Sequence, residues 1–578
     1  MKNRLFYWCF HLFASVFSCW LHAQRHDNVW VMGYNTAPNN LNWGILFEFN
    51  DSLTIRYRAQ YAGFFNANTS ISDSLGRLVL MSNGCYVADS AGNVLPGGHG
   101  LNPGLLYNIF CPSNQGYTLP QSLLTLPDPV RKGVYHIFHV NYVASGWMRY
   151  LHHTLVDMHL NGGQGGVVFK NAVVVEDSLH YGELHAVRHG NGRDWWVVAP
   201  TLNKNRYYIV RLDPSGVQVK HQDIGPVVET NYYHRGQAAF SPDGTRYARY
   251  NALEDLRLFD FDRCLGELSS PRHILVLEDS LRQPTGGLAW SADGRYLYIS
   301  DAYMIMQFDM AASDISASRV VVARRQPPVC FLSGALGEME LGPDGVIYCA
   351  PLAGQQCMHR IKHPERRGEA CEVEHNYYRF QYGYQGLPHF PNFRLGPVDG
   401  SACDTLGLDN RPLSHWRYER AGGLRVDFVS VSWYEPEWYS WDFGDPGSGL
   451  LNYSDQKYPS HEYPAPGPYQ VCLTVGNSYG TDTKCKTVWV LSTSSAGEGL
   501  VGELGRLYPN PSSGQLFWSG EAPVRVRLFS AAGQLVLEEA TDGGALWVGH
   551  LPEGFYVAQV FDARDRTLLA VQKVVLKR

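Results

Sequence analysis

The chain has 578 residues, a formal net charge of −6 and only 18% charged residues, against 13% aromatic residues, 58 Gly and 32 Pro. That length exceeds one ordinary hydrophobic core, so several domains are expected. The turn-forming and aromatic content favours short strands over long helices, and the absence of a basic stripe gives nucleic-acid binding no support.

The N-terminus reads as a secretory signal over residues 1–23. Lys2 and Arg4 precede a largely apolar run from Leu5 to Trp20, which is too short for a comfortable membrane span. A rival reading ends a lipoprotein signal at Cys19, but Phe17 fits that poorly.

Residues 28–390 repeat. Gln237–Gly244, Leu288–Gly294 and Met339–Gly345 each read as strand, Asp-Gly turn, strand. Asp-Gly suits a tight hairpin because Gly tolerates positive φ. Their apolar anchors Phe240, Trp290 and Leu341 are 50 and 51 residues apart, the period of a four-stranded propeller blade. Leu256–Phe261 alternates like a third strand, and His273–Leu277 is the expected fourth. Ala186–Gly192 and Ile71–Leu80 are earlier copies, and Val134–Val140 is a weaker one. At ~50 residues per blade the region holds about seven blades. Trp30–Tyr34 and Ile45–Phe49 read as middle strands of a blade that lacks its inner strand, which the far end of the repeat region can supply. The expected architecture is all-β: a propeller, an immunoglobulin-like sandwich and a small C-terminal sandwich. Six or eight blades, or an array of sandwiches, are the structural alternatives.

The stretch closing on His363-Pro364-Glu365 and Gly386-Leu387-Pro388-His389-Phe390 resembles a propeller-like module of large exported Bacteroidota proteins. A linker over 391–412 follows. Residues 413–491 contain Ser440-Trp441-Asp442-Phe443-Gly444-Asp445, then His461-Glu462-Tyr463 and Val471–Val475, and resemble a PKD domain. Trp441 and Phe443 are expected to point into its core, and Asp442 and Asp445 to cap turns. A second linker, 492–502, leads to residues 503–578. There, Leu507-Tyr508-Pro509-Asn510-Pro511, Val526–Gln534, Leu551–Val557 and Lys573–Arg578 resemble a type A sorting domain of the type IX secretion system. The resemblance implies Sec export through the periplasm, handling by the type IX machinery, and display at the outer-membrane surface or release. It also implies removal of the tail and attachment to a surface glycolipid.

Twelve cysteines include Cys9 and Cys19 in the signal, so ten remain in the exported chain, an even number that suggests disulfides. Cys472 and Cys485 flank a hairpin symmetrically and are expected to pair. Cys85 with Cys111 and Cys357 with Cys371 are further pairings considered.

No nucleophile elbow, zinc-protease motif or Walker loop is present. His185 and His189 are four apart, but on strand and turn they diverge, as His136 and His139 do across one strand, so no metal site is expected. No cofactor is expected either. In a propeller the starts of the inner strands ring one channel mouth. The aligned copies place Glu183, Gln237 and Glu338 there, with Tyr233, His234, Arg235 and Thr285 in the incoming loops. Polar groups beside aromatic rings suit a sugar or peptide. The reading is an exported binding or adhesion protein whose propeller captures a glycan or protein, held off the cell by a PKD spacer. One alternative is a secreted glycoside hydrolase or lyase using Glu183 and Glu338. The other is a structural part of a surface, gliding or secretion assembly.

Overall fold

The computed structural model describes residues 25–490 and 507–577, except 35–41, 61–62, 144–147, 230–235, 277–285, 327–334, 352–354 and several short turns of the last stretch. The expected signal and second linker lie outside the described residues.

Among the described residues seven antiparallel sheets follow one another between Val29 and Tyr384. The first has three strands, Val29–Met32, Asn42–Phe49 and Leu53–Gln60, and each of the other six has four. The six begin with the strands Thr69–Ser72, Leu123–Pro127, His185–Arg188, Gln237–Phe240, Gly287–Trp290 and Leu336–Leu341. Burial explains the order within a blade. Strands near the axis are covered on both faces, as Tyr296–Ser300 is throughout, while an outermost strand such as Gly216–Asp223 alternates with water. The three Asp-Gly turns join inner strand to second strand, with Gly244, Gly294 and Gly345 at φ of 72°, 67° and 77°, where a side chain would be strained. The fourth strand of the Phe240 blade is Glu267–Ile274, earlier in the chain than the His273–Leu277 read from the sequence.

The inner strands are parallel. Gly182 bridges Gly236 in parallel, and the Gln237 side chain accepts from both Leu288 N at 2.9 Å and Met339 N at 3.1 Å, levelling three successive blades. The strand Val29–Met32 runs the other way: Ser70 donates to Val29 O and Asn68 to Val31 O, in reversed order. It is therefore a second strand, and among the described residues the first blade lacks its inner one. Residues 385–397 take that place as extended chain without a regular ladder. Phe390 stacks on Trp30 at 5.9 Å, and Arg394 pairs with Asp27. Pro388 and Pro391 lack the N–H groups that a ladder needs. The last blade packs on the first through Tyr348, Tyr378 and Phe380 against Phe47.

Residues 416–490 form a sandwich of a three-stranded and a four-stranded sheet, its core built from Trp416, Phe428, Trp441 and Phe443. Asp442 accepts from Gly444 N at 2.9 Å, and Asp445 meets His461 at 3.1 Å. Residues 507–576 form a second small sandwich around Leu516, Val526, Leu528 and Val560.

Cys472 faces Cys485 across the hairpin and is bonded to it, and Cys85 is bonded to Cys111. Cys264 is bonded to Cys403. The Cys357–Cys371 pairing is corrected: Cys371 is a free, buried thiol, while Cys357 is disulfide-bonded elsewhere.

Candidate functional site

The propeller has two unlike faces. On one lie the turns joining inner to second strands and third to fourth strands, and the sandwich sits against these. Val431 lies where a Cβ on Gly345 would be 2.5 Å away. Lys484 meets Asp51 at 3.1 Å, Arg366 meets Asp427 at 3.1 Å, and Arg417 donates to Lys362 O at 2.7 Å. The Cys264–Cys403 bond ties the intervening segment to the same face. The sandwich is thus docked on the propeller, where the sequence reading had a spacer. Asn477 clamps the junction by donating to Asn410 O at 2.7 Å and Tyr434 O at 3.2 Å.

The opposite face carries the loops that enter the inner strands and those that join second to third strands. The short helix Leu105–Phe110 and the exposed Val227, Leu275 and Tyr303 lie there. This is the mouth at which the sequence placed its candidate site.

Among the described residues that mouth does not open into a channel. Residues 385–397 run through the axis to the sandwich side, where Arg263 donates to Gly396 O and Val398 N donates to Gly190 O. His389 sits at the centre, with Nδ1 3.1 Å from Glu340 and Nε2 3.5 Å from Glu338. Burial alone would lower its pKa, but hydrogen bonds and charge from the two carboxylates outweigh that and lift it to about 9. The adjacent His185 is pushed down to about 3 by burial and by the charge on His389, so the axis holds one charged and one neutral imidazole.

Three of the predicted site residues are described. Glu183 is fully buried, paired with Arg249, 3.2 Å from His180 Nδ1 and accepting from Asn251 at 3.2 Å. Arg249 also meets Glu254 at 2.8 Å, and His180 reaches Glu254 at 3.0 Å. Burial works against the charge on Arg249, yet the two carboxylates hold its pKa well above the ordinary value. Gln237, also buried, spends its carboxamide on Leu288, Met339 and His389. Glu338 accepts from Leu387 N at 3.1 Å and is part-exposed at the mouth. Tyr233, His234, Arg235 and Thr285 lie outside the described residues.

Sequence reasoning missed the partners that fill the axis. Gln121 binds Ala238 through both N and O, at 2.7 and 2.6 Å, across two blades, and nothing local marks it. His389 could have been flagged by the prolines on either side of it, which signal chain that crosses a sheet without joining it.

The other histidines are held separately. His136 bridges His153 at 2.8 Å and Asp128 at 3.1 Å. His139 contacts Asn102 at 2.6 Å and Thr154 at 2.9 Å. His189 stacks on Trp196. Among the described residues no three ligand-type side chains converge as a metal site would require.

Family models match residues 426–491 as a PKD domain and residues 506–577 as a secretion system C-terminal sorting domain. No curated protein matches the chain in sequence. Three solved structures show distant likeness. The PKD1 domain of Vibrio anguillarum Epp is 29% identical over 15% of this chain and 99% of its own, with a TM-score of 0.13. PorZ, a surface component of the type IX secretion system of Porphyromonas gingivalis, is 10% identical over 93% and 69%, at 0.29. Saccharomyces cerevisiae Sqt1 is 9% identical over 70% and 92%, at 0.31. The chain is a type IX secretion substrate that carries a PKD domain and a C-terminal sorting domain. It is exported by the Sec route and then secreted or displayed at the cell surface.

Proposed function

We propose that this type IX substrate is a surface-displayed or released binding protein that captures a glycan or protein on the propeller face opposite the PKD domain. The observation that carries the reading is the division of the faces. One is covered by the docked PKD domain, the axis is filled by residues 385–397, and the remaining rim combines exposed apolar side chains with the part-exposed Glu338. In the proposal Tyr233, His234, Arg235 and Thr285, which the repeat alignment assigns to loops preceding the inner strands, would supply aromatic, cationic and hydroxyl groups to the site. Glu183 and Gln237 act behind it, fixing adjacent blades. The commitment of Glu183 to Arg249 weakens the glycosidase alternative, which needs two available carboxylates.

The test is binding of purified protein to glycan and surface-protein arrays, repeated with His234→Ala and Glu338→Ala. Loss of binding with an unchanged melting temperature is the expected result. Binding that survives both substitutions and is lost only when the PKD domain is altered overturns it.

A further inference from the structure

The PKD domain carries a second surface with a chemistry of its own. Its four-stranded sheet includes the strands Trp438–Asp442, Gly467–Asn477 and Gly480–Val490. One face of that sheet is the core, through Trp441, Val471, Leu473, Val475 and Val488. Alternation sends the residues between them outward. The register then fixes what the outer face displays. Trp438 lies opposite Gly476, which lies opposite Thr481. Ser440, Thr474 and Thr483 form the next row, followed by the Cys472–Cys485 disulfide and then Gln470 with Thr487. Trp489 lies opposite Pro468, one residue before the strand ends.

Two features of this face point to a ligand. First, Trp438 is laid flat. A Cβ on Gly476 would be 2.1 Å from the indole, so the ring rests directly on the bare backbone of the neighbouring strand and still exposes 43% of its surface. Only glycine permits that contact, and it turns a flexible side chain into a fixed plane. Second, the face carries no Lys, Arg or Glu. Asp442, its one acid, accepts from Gly444 N and Asn452. The Thr474 and Thr483 hydroxyls are 2.8 Å apart, and Gln470 accepts from Thr487 at 3.1 Å, so the polar groups are pre-ordered in cross-strand pairs. The charged residues of the edge strand, Asp482, Lys484 and Lys486, point to the other face, where Asp482 accepts from Ser414 N and Lys484 meets the propeller at Asp51.

We infer that this outer face binds an uncharged polysaccharide, with Trp438 as a stacking platform, the Ser and Thr hydroxyls as hydrogen-bonding partners, and the exposed Trp489 as a second aromatic contact. A sugar ring offers an apolar C–H face to an indole and hydroxyls to its edges, which matches a fixed ring beside ordered hydroxyls. A flat, rigid platform spares the side-chain ordering that otherwise weakens binding. From Thr481 to Trp489 the strand rises roughly 27 Å at ~3.4 Å per residue, long enough to seat an extended chain of sugars. The inference is independent of the proposed propeller site.

The experiment uses the full exported chain in affinity electrophoresis through gels containing a neutral β-glucan or a neutral xylan, and in pull-down on cellulose and chitin. Retention on at least one of these is expected. Trp438→Ala should weaken it about tenfold or more, which corresponds to ~1.4 kcal/mol, with an unchanged melting temperature. Trp438→Phe should restore part of it. Because removing the ring also bares Gly476, Thr483→Val serves as a second variant that leaves the platform intact and should weaken retention by a smaller factor. Val173→Ala, on an exposed outermost propeller strand away from both surfaces, should leave retention unchanged. No retention on any of the four polymers overturns the inference. So does retention unchanged in a Trp438→Ala/Trp489→Ala double variant, or retention abolished by salt, which would mark binding by charge.

Discussion

Glu183 separates two roles cleanly, because the sequence placed it at a binding mouth and the structure seats it inside the protein. In Glu183→Ala, Arg249 keeps Glu254 at 2.8 Å but loses its second carboxylate, and Asn251 loses an acceptor. Breaking a buried pair from one side costs about 3–5 kcal/mol, since the remaining charge is left undercompensated. The seven sheets span Val29–Tyr384. At roughly 2.1 cal/mol/K per residue, the unfolding entropy of that unit is ~0.75 kcal/mol/K, so the melting temperature should fall by ~4–7 °C. Glu183→Gln, which keeps hydrogen-bonding oxygen but no charge, should fall less. The assay is thermal unfolding followed by far-UV circular dichroism, with array binding measured well below the transition. A melting temperature within a degree of the parent, together with lost binding, would refute the structural role and return Glu183 to the ligand site.

Other consequences are equally direct. His389 has a folded pKa of about 9, above the ordinary histidine value near 6.5, so its contribution to stability is complete below about pH 6.5 and is lost as pH rises through 9. The melting temperature should decline across that window, and His389→Gln should flatten the decline; a parallel profile in the variant would refute the assignment. A Cys264→Ser/Cys403→Ser variant opens a loop of 139 residues, for which chain entropy predicts a loss of roughly 4–5 kcal/mol, read as a lower denaturation midpoint and earlier proteolysis near residue 403. Deleting residues from 503 onward removes the sorting sandwich but none of the seven sheets, so the product should fold and accumulate in the periplasm. Cell fractionation showing normal surface display would contradict the role of the tail.

How far the fold could be read depended on whether the signal was local. The Asp-Gly hairpins, the ~50-residue spacing and the Cys472–Cys485 symmetry are each contained in one hairpin or one blade, and each is seen in the structure. The missing inner strand was also legible, because Trp30 and Phe47 show the burial expected of middle strands. Its replacement was less so. Contacts such as Arg394 with Asp27 join residues 367 apart, and no periodicity records them. The same holds for Glu183, whose partner Arg249 lies 66 residues away, and for Gln121, which serves a strand 117 residues on. A polar residue at the start of an inner strand looks alike in sequence whether it meets solvent or a buried cation. Only the three-dimensional partner decides.

Filling the axis and docking the PKD domain together constrain how such a protein is presented. The chain leaves the propeller through its own centre at residues 385–397, is tied back to the propeller by the Cys264–Cys403 bond, and enters a sandwich fixed against the turn face by Lys484, Arg366 and Arg417. The sorting domain follows that sandwich, so any attachment at the C-terminal end acts through the covered side of the propeller. The uncovered rim is the propeller face opposite that sandwich. A flexible spacer would leave the rim's orientation to chance. A docked domain fixes it, because turning the propeller over would require breaking the Lys484–Asp51 and Arg366–Asp427 pairs and the Arg417 bond to Lys362 O together.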